Sequence, residues 1–224
     1  MQDGMEAQLA AWRRLLASGF ARVGWKIGLT APAVQARLGL GGPVVGHLTL
    51  ATTLVPGASH SLAGGTRVGV EPEVAIHLSA DVPPAAGRAR AAEAIAGLGP
   101  ALEVIDIDAP FDDLARIVAR NVFHRAVAFG PTDPSRAGGS LAGIAARAVL
   151  NGCTVTEVSA AQAAGDLPDL VCLVADALGA CGERLRAGDR IISGALTDPM
   201  WVKPGDTAGI DLGPLGALEV AFTA

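Results

Sequence analysis

Eight glutamates occur in the chain, and three of them stand where a carboxylate is costly. Glu71 and Glu73 lie in VGVEPEVAIHL, and Glu103 lies in ALEVI. On an extended strand, residues i and i+2 share a face, so Glu71 and Glu73 project side by side. Val70, Val74 and Ile76 beside them are apolar and predict at least partial burial. Two carboxylates held together in such a place repel, so either one keeps a proton or a cation holds both. Glu103, in an equally apolar strand, offers a third oxygen donor. Three carboxylates with few histidines nearby suit a hard divalent cation, Mg²⁺ or Mn²⁺, that keeps open positions for water or substrate. Read alone, an E-x-E pair is common on a sheet edge and is usually just a solvated outward face. The cations add a second signal. Fifteen are arginine and two are lysine, Lys26 and Lys203, so Lys26 in the apolar segment GWKIGLT draws attention to its compact, titratable ammonium.

The rest of the composition bounds the setting. At 224 residues, half of them hydrophobic and 17% charged, the chain has room for one ordinary domain and enough apolar surface to fold it. A net charge of −5 argues against a nucleic-acid groove, which needs a basic face. No apolar run reaches the ~20 residues of a membrane helix, and the N-terminus carries acids before bases, the reverse of a secretory signal. A soluble cytoplasmic protein without membrane or nucleic-acid partners is expected. The cysteines, Cys153, Cys172 and Cys181, form no CxxC pair and are odd in number, so small buried thiols are expected rather than a disulfide or zinc site.

The elements that must position these residues follow from periodicity and punctuation. Met5, Leu9, Trp12 and Leu16 have helical spacing, which predicts an amphipathic helix over 5–18 within an N-terminal helical segment, 1–21. A single catalytic domain, 22–224, follows. Within it, strands are expected at 22–30, 66–83, 100–108 and 124–131, with further strands around 141–158 and in the closing segment after 188. The stretch 41–57 is β-rich in character. Helices are expected at 31–40, 88–99, 111–123 and 167–182. Twenty-nine glycines and fourteen prolines suit many short strands and turns, and strands mixed irregularly with helices indicate an α+β domain.

Four segments in this order, GWKIGLT (24–30), VEPEVAI (70–76), PALEVID (100–106) and ISGALT…VKPGD (192–206), resemble the 2-oxopent-4-enoate hydratase and 4-oxalocrotonate decarboxylase family of the fumarylacetoacetate hydrolase superfamily. The likeness runs from about residue 22 to the end. It implies a mixed β-roll core flanked by helices, a Mg²⁺ or Mn²⁺ site on Glu71, Glu73 and Glu103, and small 2-oxo acids or their enols as substrates. It carries the lysine of the K-[IV]-G motif onto Lys26, near the substrate carboxylate and the acid–base chemistry. The glycine-flanked hydroxyl segment falls on Ser193, Gly194 and Thr197, as contacts for the bound acid. Gly46, His47 and Leu48 match a loop that lines the pocket in relatives. A homo-oligomer is expected, as in the family.

The chemistry is consistent with these residue types. A 2-oxo acid chelates a cation through a carboxylate and its keto oxygen, which stabilises enolate charge. Two departures from the family pattern stand out. Ala51 occupies a position where relatives commonly carry an acid, which removes the usual hydratase proton relay. In ARNVFHR (119–125), Asn121 is retained as a substrate-side residue, while Arg120 and Phe123 replace an acid and a small hydroxyl residue. A bulky Phe123 narrows the pocket, and Arg120 is either a second carboxylate site or a surface change. His47 and His124 are the replacement acid–base candidates. Asp106 and Asp108 are second partners of the cluster or, more simply, a solvated strand end.

The first reading is therefore a metal-dependent lyase of aromatic-compound catabolism, a hydratase of 2-hydroxypenta-2,4-dienoate-type acids. The alternatives are a 4-oxalocrotonate-type decarboxylase, an acylpyruvate C–C hydrolase, and a catalytically silent relative kept in a complex with a related subunit.

Overall fold

A computed structural model describes residues 2–55 and 57–224; Met1 of the N-terminal segment and Pro56 of the 41–57 stretch lie outside the described residues. The chain runs α1 (Gln2–Ala17), β1 (Arg22–Gly28), α2 (Pro32–Leu38), β2 (Val44–Thr49), β3 (Ser59–Ser61) and β4 (Val68–Leu78). It continues through α3 (Arg88–Ala94), β5 (Ile95–Asp106), α4 (Leu114–Ala119), β6 (His124–Phe129), β7 (Ala145–Leu150), β8 (Cys153–Ser159) and α5 (Ala160–Ala164). It closes with α6 (Leu167–Ala180), β9 (Arg190–Ile192), β10 (Met200–Trp201), β11 (Thr207–Asp211) and β12 (Ala217–Thr223).

Two sheets form. The larger has the order β2-β1-β9-β4-β5-β6, with β10 added to β4; the smaller has the order β3-β12-β11-β7-β8. The larger sheet curls until its ends meet. Thr53, just past β2, bridges Val127 of β6, and Leu54 N–H donates to the Val127 carbonyl at 2.8 Å. This is the mixed β-roll with flanking helices that the segments imply. Leu48, Ala75, Ala101, Val127, Phe129 and Ile192 form a small apolar cluster of their own inside it. The main core lies outside the roll, under the helices, and includes Leu9, Trp12, Trp25, Val70, Ile76, Val104, Val171 and Leu178. Burying side chains of this size stabilises the fold by roughly 1.5–3 kcal/mol each before entropy is counted. Among the described residues, no helix is long and apolar enough to cross a membrane.

Three sequence expectations need correction. The helix expected over 88–99 stops at Ala94, and Ile95 opens the long strand β5. Gly99, read as part of a glycine-rich helix exit, is a strand position where a Cβ would come 2.2 Å from the Pro131 carbonyl oxygen. The helix expected over 111–123 is only Leu114–Ala119. Asp113 caps its start by accepting from Arg116 N–H at 3.0 Å, and its end turns left-handed at Asn121. The cysteines are free as expected but not buried: Cys153 is exposed on edge strand β8, and Cys172 and Cys181 are partly exposed at α6.

Candidate metal centre and cleft

β4 and β5 run antiparallel, with Glu71 opposite Glu103 and Glu73 opposite Ala101. Opposed residues in such a pair share a face, as do i and i+2, so the three carboxylates converge on one side of the sheet. Pro72 between the two glutamates disrupts no ladder, because β9 pairs with β4 at Ala75–His77 and β10 at Gly69–Val70. Pro72 falls in the gap between them, where its carbonyl accepts from Leu196 N–H at 2.9 Å. The 193–199 loop enters through that gap. Its Gly194 N–H donates to Glu73 Oε2 at 2.7 Å. Gly194 has φ +86°, and a Cβ there would lie 2.6 Å from Thr30 Cγ2, so only glycine fits this approach.

One oxygen from each of Glu71, Glu73 and Glu103 lies within 4.8 Å of the others. Glu73 and Glu103 are fully buried, and Glu71 is partly buried at the cleft. Burial, followed by repulsion from Glu103, pushes the Glu71 carboxyl up to about 7. Burial and repulsion from Glu103 and Glu71 push Glu73 well above the carboxylate range, against the pull of Lys26 and the Gly194 N–H. Burial also opposes ionisation of Glu103, but Lys26 and His124 outweigh it and hold this carboxyl below its usual value.

Lys26 and His124 meet on one oxygen. Lys26 Nζ lies 2.5 Å from Glu103 Oε1, and His124 Nδ1 lies 2.7 Å from the same atom. Lys26 Nζ also donates to the Val122 carbonyl at 3.1 Å, and His124 Nε2 lies 3.0 Å from Thr52 Oγ1. The opposite oxygens remain without partners: Glu73 Oε1 and Glu103 Oε2 are buried and accept no hydrogen bond. Buried carboxylate oxygens in that state cost several kcal/mol unless a cation meets them. Three all-oxygen donors, one lysine and two orphaned oxygens therefore fit a hard divalent ion and no softer metal. Glu71, Glu73 and Glu103 are the residues able to hold it.

Other expected site residues go elsewhere. His47 pairs with Trp25 in the β1–β2 ladder while Lys26 pairs with Gly46, so His47 and Lys26 point to opposite faces. The His47 ring sits 6.5 Å from Trp12 under α1. Burial first, then His124 and Lys26, lower its pKa to about 3. Leu48 is wholly buried inside the roll and does not line the cleft. Asn121 spends its amide on β2: Oδ1 accepts from His47 N–H at 2.8 Å and Nδ2 donates to the His47 carbonyl at 2.9 Å. Ser193 Oγ accepts from Val74 N–H at 3.1 Å and donates to the Gly194 carbonyl at 3.0 Å, so it fixes the loop. Thr197 does line the cleft. Arg120 is exposed and paired with Asp108, and Asp106 holds the Thr66 and Arg67 N–H groups, all away from the acid cluster.

The acid cluster opens into a cleft of about 540 Å³ walled by Lys26, Glu71, Ile105, Phe111, Val122, Phe123, Thr197 and Trp201, among others. Its shape depends on an unusual turn. Asn121, Val122 and Phe123 have φ of 57°, 53° and 62°, a left-handed run that is rare for a β-branched or bulky residue. It begins as a helix stop, with Val122 N–H on the Ile117 carbonyl and Asn121 N–H on the Val118 carbonyl. The turn aims the Val122 carbonyl at Lys26. Thr52, the Val122 carbonyl and Phe111 were not visible as site residues in the sequence, because each reaches the site through a turn with no motif of its own.

Residues 39–223 match the family model described as the fumarylacetoacetate (FAA) hydrolase C-terminal domain. The chain belongs to the fumarylacetoacetate hydrolase family. Within that family it is 30% identical over 209 residues to a 2-keto-4-pentenoate hydratase of Burkholderia vietnamiensis, covering 90% of this chain and 78% of the relative. It is 28% identical to a 4-oxalocrotonate decarboxylase of a Pseudomonas species, covering 100% and 87%. The solved structure of 4-oxalocrotonate decarboxylase from Pseudomonas putida G7, complexed with magnesium and adipate, superposes with a TM-score of 0.89 at 26% identity, covering 98% of this chain and 84% of that one. The fumarylacetoacetate hydrolase fold of this chain thus keeps company with hydratases and decarboxylases of unsaturated 2-oxo acids.

Proposed function

We propose that the protein is a Mg²⁺- or Mn²⁺-dependent hydratase of 2-hydroxypenta-2,4-dienoate-type acids. The observation that carries this reading is the convergence of Glu71, Glu73 and Glu103, two with orphaned oxygens, beside Lys26 at the base of an apolar-walled cleft. When bound there, a divalent ion supplies Lewis-acid stabilisation of the negative charge that develops on the 2-oxygen. The chain's own residues do the rest. Lys26 spends two of its three N–H donors on Glu103 and the Val122 carbonyl, which leaves one for the substrate carboxylate or a proton transfer. His124, held between Thr52 and Glu103, keeps an exchangeable proton beside the cluster. Thr197 offers a hydroxyl at the cleft wall, and the remaining walls are largely aromatic and aliphatic.

A second reading, decarboxylation of a 4-oxalocrotonate-type acid, draws support from the likeness to the solved decarboxylase. Product analysis separates them. With Mg²⁺ or Mn²⁺, 2-hydroxypenta-2,4-dienoate is expected to give 4-hydroxy-2-oxopentanoate; release of CO₂ from 4-oxalocrotonate instead supports the second reading. Pyruvate from acetylpyruvate indicates a C–C hydrolase, and silence on every substrate a partner subunit. Self-association belongs to the first reading.

A further inference from the structure

The far end of the cleft limits what a bound 2-oxo acid carries beyond its chelating head. Phe111 and Phe123 bracket α4 in sequence and meet in space, with ring centroids 5.1 Å apart and planes tilted by 48°. Phe123 is buried, and its backbone is held left-handed by the turn that starts at Asn121. Ile105, Ile107 and Trp201 complete this apolar wall. The charged residues lining the cleft are Lys26, Glu71 and Asp198. Lys26 and Glu71 belong to the chelating end, so the remaining charge, Asp198, is negative. Among the described residues no arginine lines the cleft: the Arg37 guanidinium lies 5.9 Å from the Phe111 ring centroid and that of Arg67 3.8 Å from the Trp201 ring centroid, each held on an aromatic face, and Arg120 is paired with Asp108. A second carboxylate on the substrate would lose its water against aromatic rings, with no cationic side chain lining that wall to replace it. The cleft of about 540 Å³ is also far larger than a five-carbon acid needs.

We infer that Phe111 and Phe123 form a tail subsite that selects 2-oxo acids with an apolar tail bulkier than vinyl, alkyl or aryl, and rejects acids with a distal carboxylate. This rests on the chelating site proposed above. The two rings act as specificity residues: they contribute to binding of the tail and leave the chelating head untouched.

The test is calorimetric titration of the Mg²⁺-loaded protein with oxalate, 2-oxopentanoate, 2-oxo-4-phenylbutanoate and 2-oxoadipate. Oxalate reports the chelating head alone. The phenyl-tailed acid is expected to bind at least tenfold more tightly than 2-oxopentanoate, and 2-oxoadipate at least tenfold more weakly. Phe123→Asn, which suits a left-handed backbone while removing the ring, is expected to erase most of the phenyl preference with oxalate affinity unchanged. Phe111→Ala, at a half-buried position, serves the same purpose should the first variant fail to fold. If oxalate binds while 2-oxoadipate matches or exceeds the monoacids, or the phenyl tail gives no gain, the tail subsite is overturned and the chelating site stands. Failure of oxalate itself to bind overturns both.

Discussion

Lys26 Nζ and Glu103 Oε1 lie 2.5 Å apart with both side chains out of contact with solvent, 1% and 0% exposed. Their strands are not neighbours, because β9 and β4 run between β1 and β5. Only the curl of the sheet brings them together, so the ion pair and the roll depend on one another. The pair leaves Glu71 and Glu73 without a cation of their own, and this imbalance fits a divalent ion.

Removing the lysine tests the imbalance directly. Lys26→Met leaves Glu103 with His124 as its remaining partner, and breaking a buried pair from one side costs about 3–5 kcal/mol. The metal-free variant is expected to melt well below the wild type, with Mg²⁺ recovering part of the loss. Activity falls whether or not stability recovers. A Lys26→Met protein that melts like the wild type without metal would contradict the pairing.

Removing a carboxylate tests the centre itself. Mg²⁺ that binds the folded state alone stabilises it by about 2.7 kcal/mol at a hundredfold excess over Kd. Glu73→Gln is expected to abolish that gain, read as the metal-dependent shift in melting temperature. Because burial and the neighbouring carboxyls already favour the uncharged form of Glu73, the neutral amide is expected to leave the metal-free variant about as stable as the wild type. A simple structural role for Glu73 predicts the opposite.

The shared face of Glu71 and Glu73 was legible in the sequence because strand alternation is rigid: two residues apart means one face, and an apolar context means burial; Glu103 and Lys26 were singled out by apolar context, the scarcity of lysine and the family resemblance. The register that sets Glu71 opposite Glu103 was not legible, since it depends on where the β4–β5 connection closes through α3. Residue types alone did not separate His47 from His124. One ladder position turns a side chain to the other face, and His47 pairs with Trp25, not with Lys26. Nor did the sequence reveal the left-handed run at 121–123, where Val and Phe violate their local preference and the tertiary clamp on β2 prevails.

That clamp gives a third prediction. Asn121→Ala removes two hydrogen bonds to the His47 backbone and puts a Cβ without a polar partner in the left-handed region, at a cost of about 2–4 kcal/mol. Asn121→Gly loses the same bonds but adopts the backbone freely, so it is expected to be about 1 kcal/mol more stable than the alanine variant. Denaturant unfolding of both variants measures the difference. Both are expected to lose kcat as the Val122 carbonyl drifts from Lys26. Equal stability of the two would mean that the left-handed turn carries no strain.

His47 supplies a fourth. Its ring faces Trp12 on the far side of β2 from Lys26, and burial keeps it neutral down to about pH 3. His47→Leu is therefore expected to retain kcat within a few-fold and to leave the pH profile unmoved, whereas His124→Leu alters both. A loss of two orders of magnitude in His47→Leu would return it to the reacting groups.

The pH dependence of stability carries opposite signs at the two kinds of buried group. Burial and Glu103 raise Glu71 to about 7, and Glu73 is raised as well. A carboxyl raised on folding contributes stability that is full below its unfolded value near 4.5 and is lost as pH rises through the folded value. In the metal-free protein this loss is spread from about pH 4.5 to about pH 7 for Glu71. A divalent ion needs both carboxyls ionised, so its apparent affinity rises as pH approaches about 7 with release of the Glu71 proton, and Glu71 adds nothing further once pH is well above 7. The buried histidines run the other way. His47 and His77, lowered to about 3 and about 4 chiefly by burial, contribute stability above about 6.5 that is lost as pH falls. Neither ligates the ion, so their effect cancels when melting curves with and without Mg²⁺ are subtracted. The difference in melting temperature is expected to be small near pH 5 and to grow through about pH 7. A difference that stays constant across that range would mean that the carboxyls of the centre are already ionised without metal.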